Sequence, residues 1–85
     1  MAELLQGTVS DAGGPVAQAA VSLLGGPGPL PDIAALTDAD GGFRLGVPAA
    51  GRYTVVCTAP DGRSARREVT VHAGRGGQVD VELPG

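Results

Sequence analysis

Apolar residues recur at every second position in run after run of this chain, and each run ends in a cluster of glycine, proline or aspartate. A period of two sets alternate side chains on opposite faces of an extended strand, so the pattern confines the chain to half-buried β-structure. Leu5, Gly7 and Val9 share one face, with Gln6, Thr8 and Ser10 on the other, before the turn cluster Asp11-Ala12-Gly13-Gly14-Pro15. Glycine supplies positive φ there and proline presets its own φ, which makes the turn a mechanism and not a correlation. The only helix-like stretch, Ala17 to Leu24, alternates through Ala19, Val21 and Leu23 and reads better as a strand.

The alternation continues along the chain. A loop from Gly25 to Asp32 holds Pro27, Pro29 and Pro31, whose missing backbone donors forbid a central strand. Ile33 to Thr37 leads into the turn Asp38-Ala39-Asp40-Gly41-Gly42, and Phe43, Leu45 and Val47 form the next inward set. Pro48-Ala49-Ala50-Gly51 turns the chain into Tyr53, Val55, Cys57 and Ala59, and Pro60-Asp61-Gly62 makes a tight hairpin turn. A run beginning near Arg63 closes with Val69 and Val71, and the last run points Val79, Val81 and Leu83 inward and Asp80 and Glu82 outward. The expected fold is therefore all-β: a seven-stranded antiparallel β-sandwich, Ig-like or transthyretin-like, with Greek-key connections.

Eighty-five residues make one domain, residues 1–85, which buries roughly 60–65% of its unfolded surface. A large enclosed active site is not expected at that size. Gly 15 and Pro 7 approach the composition of a disordered chain, but 42% hydrophobic residues and a net charge of −3 leave enough burial to offset chain entropy. Met1-Ala2-Glu3-Leu4-Leu5 has neither a basic segment nor a long apolar run and is not read as a signal peptide, and no run is long enough to cross a bilayer. The mildly acidic balance offers nothing to nucleic acid, and neither nucleic-acid binding nor membrane insertion is expected. All six basic residues are arginine, which reads as a coding bias of a GC-rich genome.

The order of the turn and strand signals resembles the carboxypeptidase regulatory-like (transthyretin-like) domain family. The residues that carry the resemblance are Gly7-Thr8-Val9, Gly14-Pro15-Val16, Ala19-Ala20-Val21-Ser22-Leu23 and Thr37-Asp38-Ala39-Asp40-Gly41-Gly42-Phe43, followed by Pro48-Ala49-Ala50-Gly51-Arg52-Tyr53 and Val79-Asp80-Val81-Glu82-Leu83. Gln18 departs from the pattern, which commonly has glycine just before the alanine. The resemblance implies a non-catalytic accessory domain of a larger bacterial protein, secreted or membrane-associated through that parent. Its partners would be other domains of the parent or a separate protein.

The side-chain inventory agrees. His72 is the only histidine, and none of Ser10, Ser22 or Ser64 lies in a nucleophile-elbow context, so no Ser-His-Asp constellation is expected. Hydroxyisourate hydrolases and intradiol dioxygenases, which are similar in fold, need several histidines or paired tyrosines that one His and one Tyr cannot supply. The zinc ligands of metallocarboxypeptidases lie in a separate domain. No cofactor is expected. Cys57 falls in phase with Tyr53 and Val55 and reads as a small buried hydrophobe. Phe43 and Tyr53, the only aromatics, fall in core phase, which removes the exposed platforms on which glycan binding relies.

Two surfaces remain. Asp38 and Asp40 set two carboxylates at i and i+2, as at the start of a calcium loop, but Gly42, Phe43 and Arg44 follow where further ligands would be needed. Arg63, Arg66 and Arg67 form a basic segment suited either to plain solvation with some pairing to Glu68 or neighbouring acids, or to docking on an acidic partner. The expected function is a spacer or docking module working through edge strands and loops, with the Gly25–Asp32 loop and the Arg63–Arg67 segment as candidate surfaces. The alternative is a module that binds carbohydrate, peptide or calcium through the loops at one end of the sandwich.

Overall fold

The strands form where the alternation places them. A computed structural model describes residues 3–26 and 34–84. Among these residues lie β1 (Glu3–Asp11), β2 (Gly14–Pro15), β3 (Ala20–Gly25), β4 (Ala34–Leu36), β5 (Gly42–Val47), β6 (Gly51–Thr58), β7 (Ser64–Val71) and β8 (Gly77–Glu82). In β5 the buried residues Phe43, Leu45 and Val47 alternate with exposed Arg44 and Gly46; in β6 Tyr53, Val55 and Cys57 are buried in the same way. Most of the Gly25–Asp32 loop and Ile33 lie outside the described residues.

Two sheets pack face to face. In the first, β1 pairs with β8 on one edge, from Leu5↔Gly77 to Ser10↔Glu82. Because Leu5 to Thr8 also pair with β5 and Ser10 also pairs with Pro15 of β2, β5 and β2 share the other edge of β1. The second sheet runs β4-β3-β6-β7. The chain changes sheet at β2–β3, β4–β5, β5–β6 and β7–β8. The expected sandwich is what the chain forms, with two differences of detail. Eight strands are present among the described residues, the additional one being β2, a two-residue return inside the first turn cluster. The β1–β8 pair runs parallel and not antiparallel. These two strands are joined through the whole intervening chain, so no hairpin dictates their direction.

One core cluster joins the sheets, with Leu5, Val9 and Val81 from the first and Val21, Tyr53, Val55 and Val71 from the second. Leu23 and Val79, expected inward, are only partly buried at its margin. Tyr53 is fully buried, and its hydroxyl donates to the Ala49 carbonyl at 2.6 Å, which closes the Pro48–Gly51 turn over the ring. Phe43 lies opposite Gly7 on β1, and Gly7 is paired on its other side with Val79. A Cβ at Gly7 would collide with the Val79 carbonyl, so only glycine allows β8 this close to β1.

Thr37 is the one buried polar residue among those described. Its hydroxyl donates to the Val16 carbonyl at 2.6 Å and accepts from the Ala19 amide at 2.9 Å. Those bonds tie the β2–β3 connection to the entrance of the β4–β5 turn. Between the two anchored residues, Gln18 has φ 60, in the left-handed region that glycine occupies at no steric cost.

Candidate interaction surface

The three arginines of the basic segment have different fates. Arg63 ends the β6–β7 hairpin, in which the Gly62 amide donates to the Ala59 carbonyl at 2.9 Å and the Ala59 amide to the Arg63 carbonyl at 2.7 Å. Its guanidinium bonds Asp61 Oδ2 at 2.8 Å, Asp11 Oδ2 at 3.0 Å and the Pro84 carbonyl at 3.0 Å. One side chain therefore links the hairpin of the second sheet to the end of β1 and to the segment after β8. The hydrogen bond from Arg63, helped by the Gly13 amide, holds the Asp11 carboxyl below its ordinary value. Asp61 is lowered mainly by the Arg63 backbone amide, and Arg63 is raised mainly through Asp11. Three of its five N–H donors are thus bonded inside the molecule, which sets Arg63 apart in geometry from Arg66 and Arg67.

Arg66 and Arg67 lie exposed in the middle of β7, the outermost strand of the second sheet. Arg66 faces outward opposite Val56, whereas Arg67 sits opposite buried Val55, in the phase of Ala65 and Val69. Arg67 thus starts on the core side of the sheet and turns out of it, its Nη1 donating to the Arg66 carbonyl at 2.6 Å. Glu68, expected as a neighbour for these arginines, instead stands 3.8 Å from Arg52 in an exposed pair that contributes little. Thr54, Arg66, Arg67 and Glu68 border an open depression of about 380 Å³.

The acidic turn is committed to its own backbone. Asp38 Oδ1 accepts from the amides of Asp40 and Gly42, each at 2.9 Å, so its carboxylate caps the β4–β5 turn. Asp40 is exposed beside it. Among the described residues no cluster of three or more His, Cys, Asp or Glu side chains is placed to hold a metal ion.

The remaining candidates are dispersed. His72 follows β7 and Ser64 begins it, at opposite ends of one strand, while Ser10 lies one residue before the end of β1 and Ser22 lies within β3. Cys57 is fully buried, and loss of hydration pushes its thiol up to about 11, a value at which it is unreactive near neutrality. A second open depression of about 540 Å³ on the outer face of the first sheet is bordered by Gln6, Thr8, Arg44 and Gln78, with Leu36 and Asp38 along one side. It brings one guanidinium and two amides together with the Asp38 carboxylate and the Thr8 hydroxyl, which donates to Asp80 Oδ1 at 2.8 Å.

Two of these contacts carry no local signal in the sequence. Asp11 and Arg63 lie 52 positions apart, and Arg67's reach to its neighbour's carbonyl depends on β7 having no strand beyond it. A charge in core phase on a run otherwise built of Ala65, Val69 and Val71 was the available clue to an edge.

The sequence model of the carboxypeptidase regulatory-like domain matches residues 5–84, nearly the whole chain. No curated protein matches the chain.

Proposed function

The chain belongs to the carboxypeptidase regulatory-like domain family, a non-catalytic domain type, and we propose that it serves a larger bacterial protein as an accessory module, a rigid spacer that also docks a partner. The observation that carries this reading is how the polar side chains are used. Asp11, Asp61 and Arg63 bond one another or nearby backbone, Thr37 and Asp38 hold the connections around the β4–β5 turn, and Arg66 and Arg67 stand on an open strand. A module that bound ligands through its end loops would need free polar groups there, and at this end of the sandwich they are largely engaged in the fold. The reading places the parent outside the cytoplasm or at a membrane, where rigid β-modules space and orient their neighbours.

The test uses the complete reading frame that contains this chain, expressed with and without residues 5–84. The expected result is that neighbouring domains keep their own activity while attachment or spacing is lost. A reading frame that encodes nothing but this domain would overturn the appended-module reading. So would a chemical activity that disappears with residues 5–84 and returns when the isolated domain is supplied in trans.

A further inference from the structure

We propose that the open edge of β7, Ser64 to Glu68, accepts an acidic extended segment of a partner as an added strand, and that Arg67 selects for the acid. The inference rests on the docking reading above and names its site and partner chemistry.

The backbone direction follows from the hairpin. The Ala59–Arg63 bond makes that pair a hydrogen-bonded one, and the β6–β7 register then alternates, so Ala65, Arg67 and Val69 turn their amides and carbonyls toward β6. Those of Ser64, Arg66 and Glu68 face away from the sheet, and no strand among the described residues pairs with them. Thr70 shares this phase, but its carbonyl lies against Gly77 of β8, which ends the open stretch. An edge with free donors and acceptors is a template for a further strand.

Arg67 controls access to that template. Its guanidinium occupies the outward carbonyl of Arg66, a charge-assisted bond that an incoming strand must displace. A neutral strand offers the displaced guanidinium no better partner. A strand with carboxylates on the matching face does, because the arginine can exchange a carbonyl for a carboxylate as the ladder forms. Charge also excludes a second copy: a self-pairing centred on this stretch sets Arg66 against Arg66 or Arg67 against Arg67. Glu68 is drawn toward Arg52 on the outer face and leaves the arginines as the dominant charge of the edge.

The experiment titrates the isotopically labelled domain with three capped nonapeptides. One alternates Thr with Glu, and the other two carry Gln or Lys in place of Glu. The Glu peptide is expected to shift the amide signals of Ser64, Arg66 and Glu68 and to slow their hydrogen exchange. The Gln peptide should bind about five-fold more weakly, the size of one exposed ion pair, and the Lys peptide should leave these amides unchanged. Arg67→Ala should abolish the preference for Glu over Gln. Glu68→Pro, which removes an outward amide without touching the ladder to β6, should abolish binding of the Glu and Gln peptides alike. The proposal is overturned if the Glu peptide leaves the β7 amides unmoved, if the Lys peptide moves them equally, or if Arg67→Ala keeps the full preference. Shifts confined to another face, such as the Gln6–Arg44 surface, would sink the edge proposal and leave the docking module standing. Retention of every function of the parent after removal of residues 5–84 would instead overturn the docking reading itself.

Discussion

Arg63 and Asp11 meet across the sandwich at 3.0 Å, the guanidinium reaching from a hairpin of one sheet to the end of the first strand of the other. About a third of the Arg63 side chain and a fifth of the Asp11 side chain remain exposed, 32% and 20% respectively, so the pair is sheltered but not dry. Its energetic role is therefore tested by pH and not assigned from geometry.

Asp11 and Asp61 both have carboxyl groups held below the ordinary 3.8 in the folded state. A depressed carboxyl contributes stability that is present above the unfolded value and is lost as pH falls through the folded one. The expected outcome is a melting temperature that is flat near neutrality and falls on acidification below about pH 4. Asp11→Asn should lower the neutral plateau and flatten the acid limb. An acid limb of unchanged steepness in that variant would remove the pair from the account of stability.

Gln18 takes a left-handed conformation at φ 60, which costs a side-chain-bearing residue roughly 1–2 kcal/mol and glycine nothing. Part of that gain is offset by the larger entropy of an unfolded chain carrying glycine. Gln18→Gly should therefore stabilise the domain by up to about 1 kcal/mol in urea unfolding, and Gln18→Ala should not stabilise it.

Thr37→Val keeps the volume and removes a hydroxyl that serves the Val16 carbonyl and the Ala19 amide. Leaving these groups without their partner should cost about 1–3 kcal/mol. Thr37→Ser retains the hydroxyl and should cost distinctly less. A Thr37→Val variant as stable as the parent, with the loss confined to Thr37→Ser, would mean that the methyl group matters and the hydrogen bonds do not.

Gly7 and Gly46 lie on neighbouring strands of the same sheet but answer differently to a methyl group. At Gly7 a Cβ collides with the Val79 backbone, while at Gly46 nothing stands within 4 Å. Gly7→Ala should lower the melting temperature sharply by forcing β8 away from β1, whereas Gly46→Ala should be neutral or slightly stabilising. Thermal melts of the two variants compare them directly.

Much of the architecture is legible in short stretches of sequence. Phe43-Arg44-Leu45-Gly46-Val47 and Tyr53 to Cys57 sort themselves into core and surface by period alone, because adjacent side chains in a strand must point to opposite faces. The turns at Asp38–Gly42 and Pro60–Gly62 are equally local, since a carboxylate or a glycine acts on backbone groups two to four residues away. The ordered motifs from Gly7 to Leu83 also carry the family assignment, which the match over residues 5–84 bears out.

What lay beyond local reading concerns residues brought together from far along the chain. The parallel pairing of β1 with β8, the Arg63–Asp11 contact and the role of Thr37 depend on which strands become neighbours, and period two is indifferent to that choice. The same holds for the basic segment. Arg63, Arg66 and Arg67 are alike as sequence, yet the fold sets one into a clasp, one onto an open face and one over a free edge. Their charge keeps these arginines at the surface, even where strand alternation sets Arg67 in core phase; the sheet order, which puts β7 last, decided what each of them can reach.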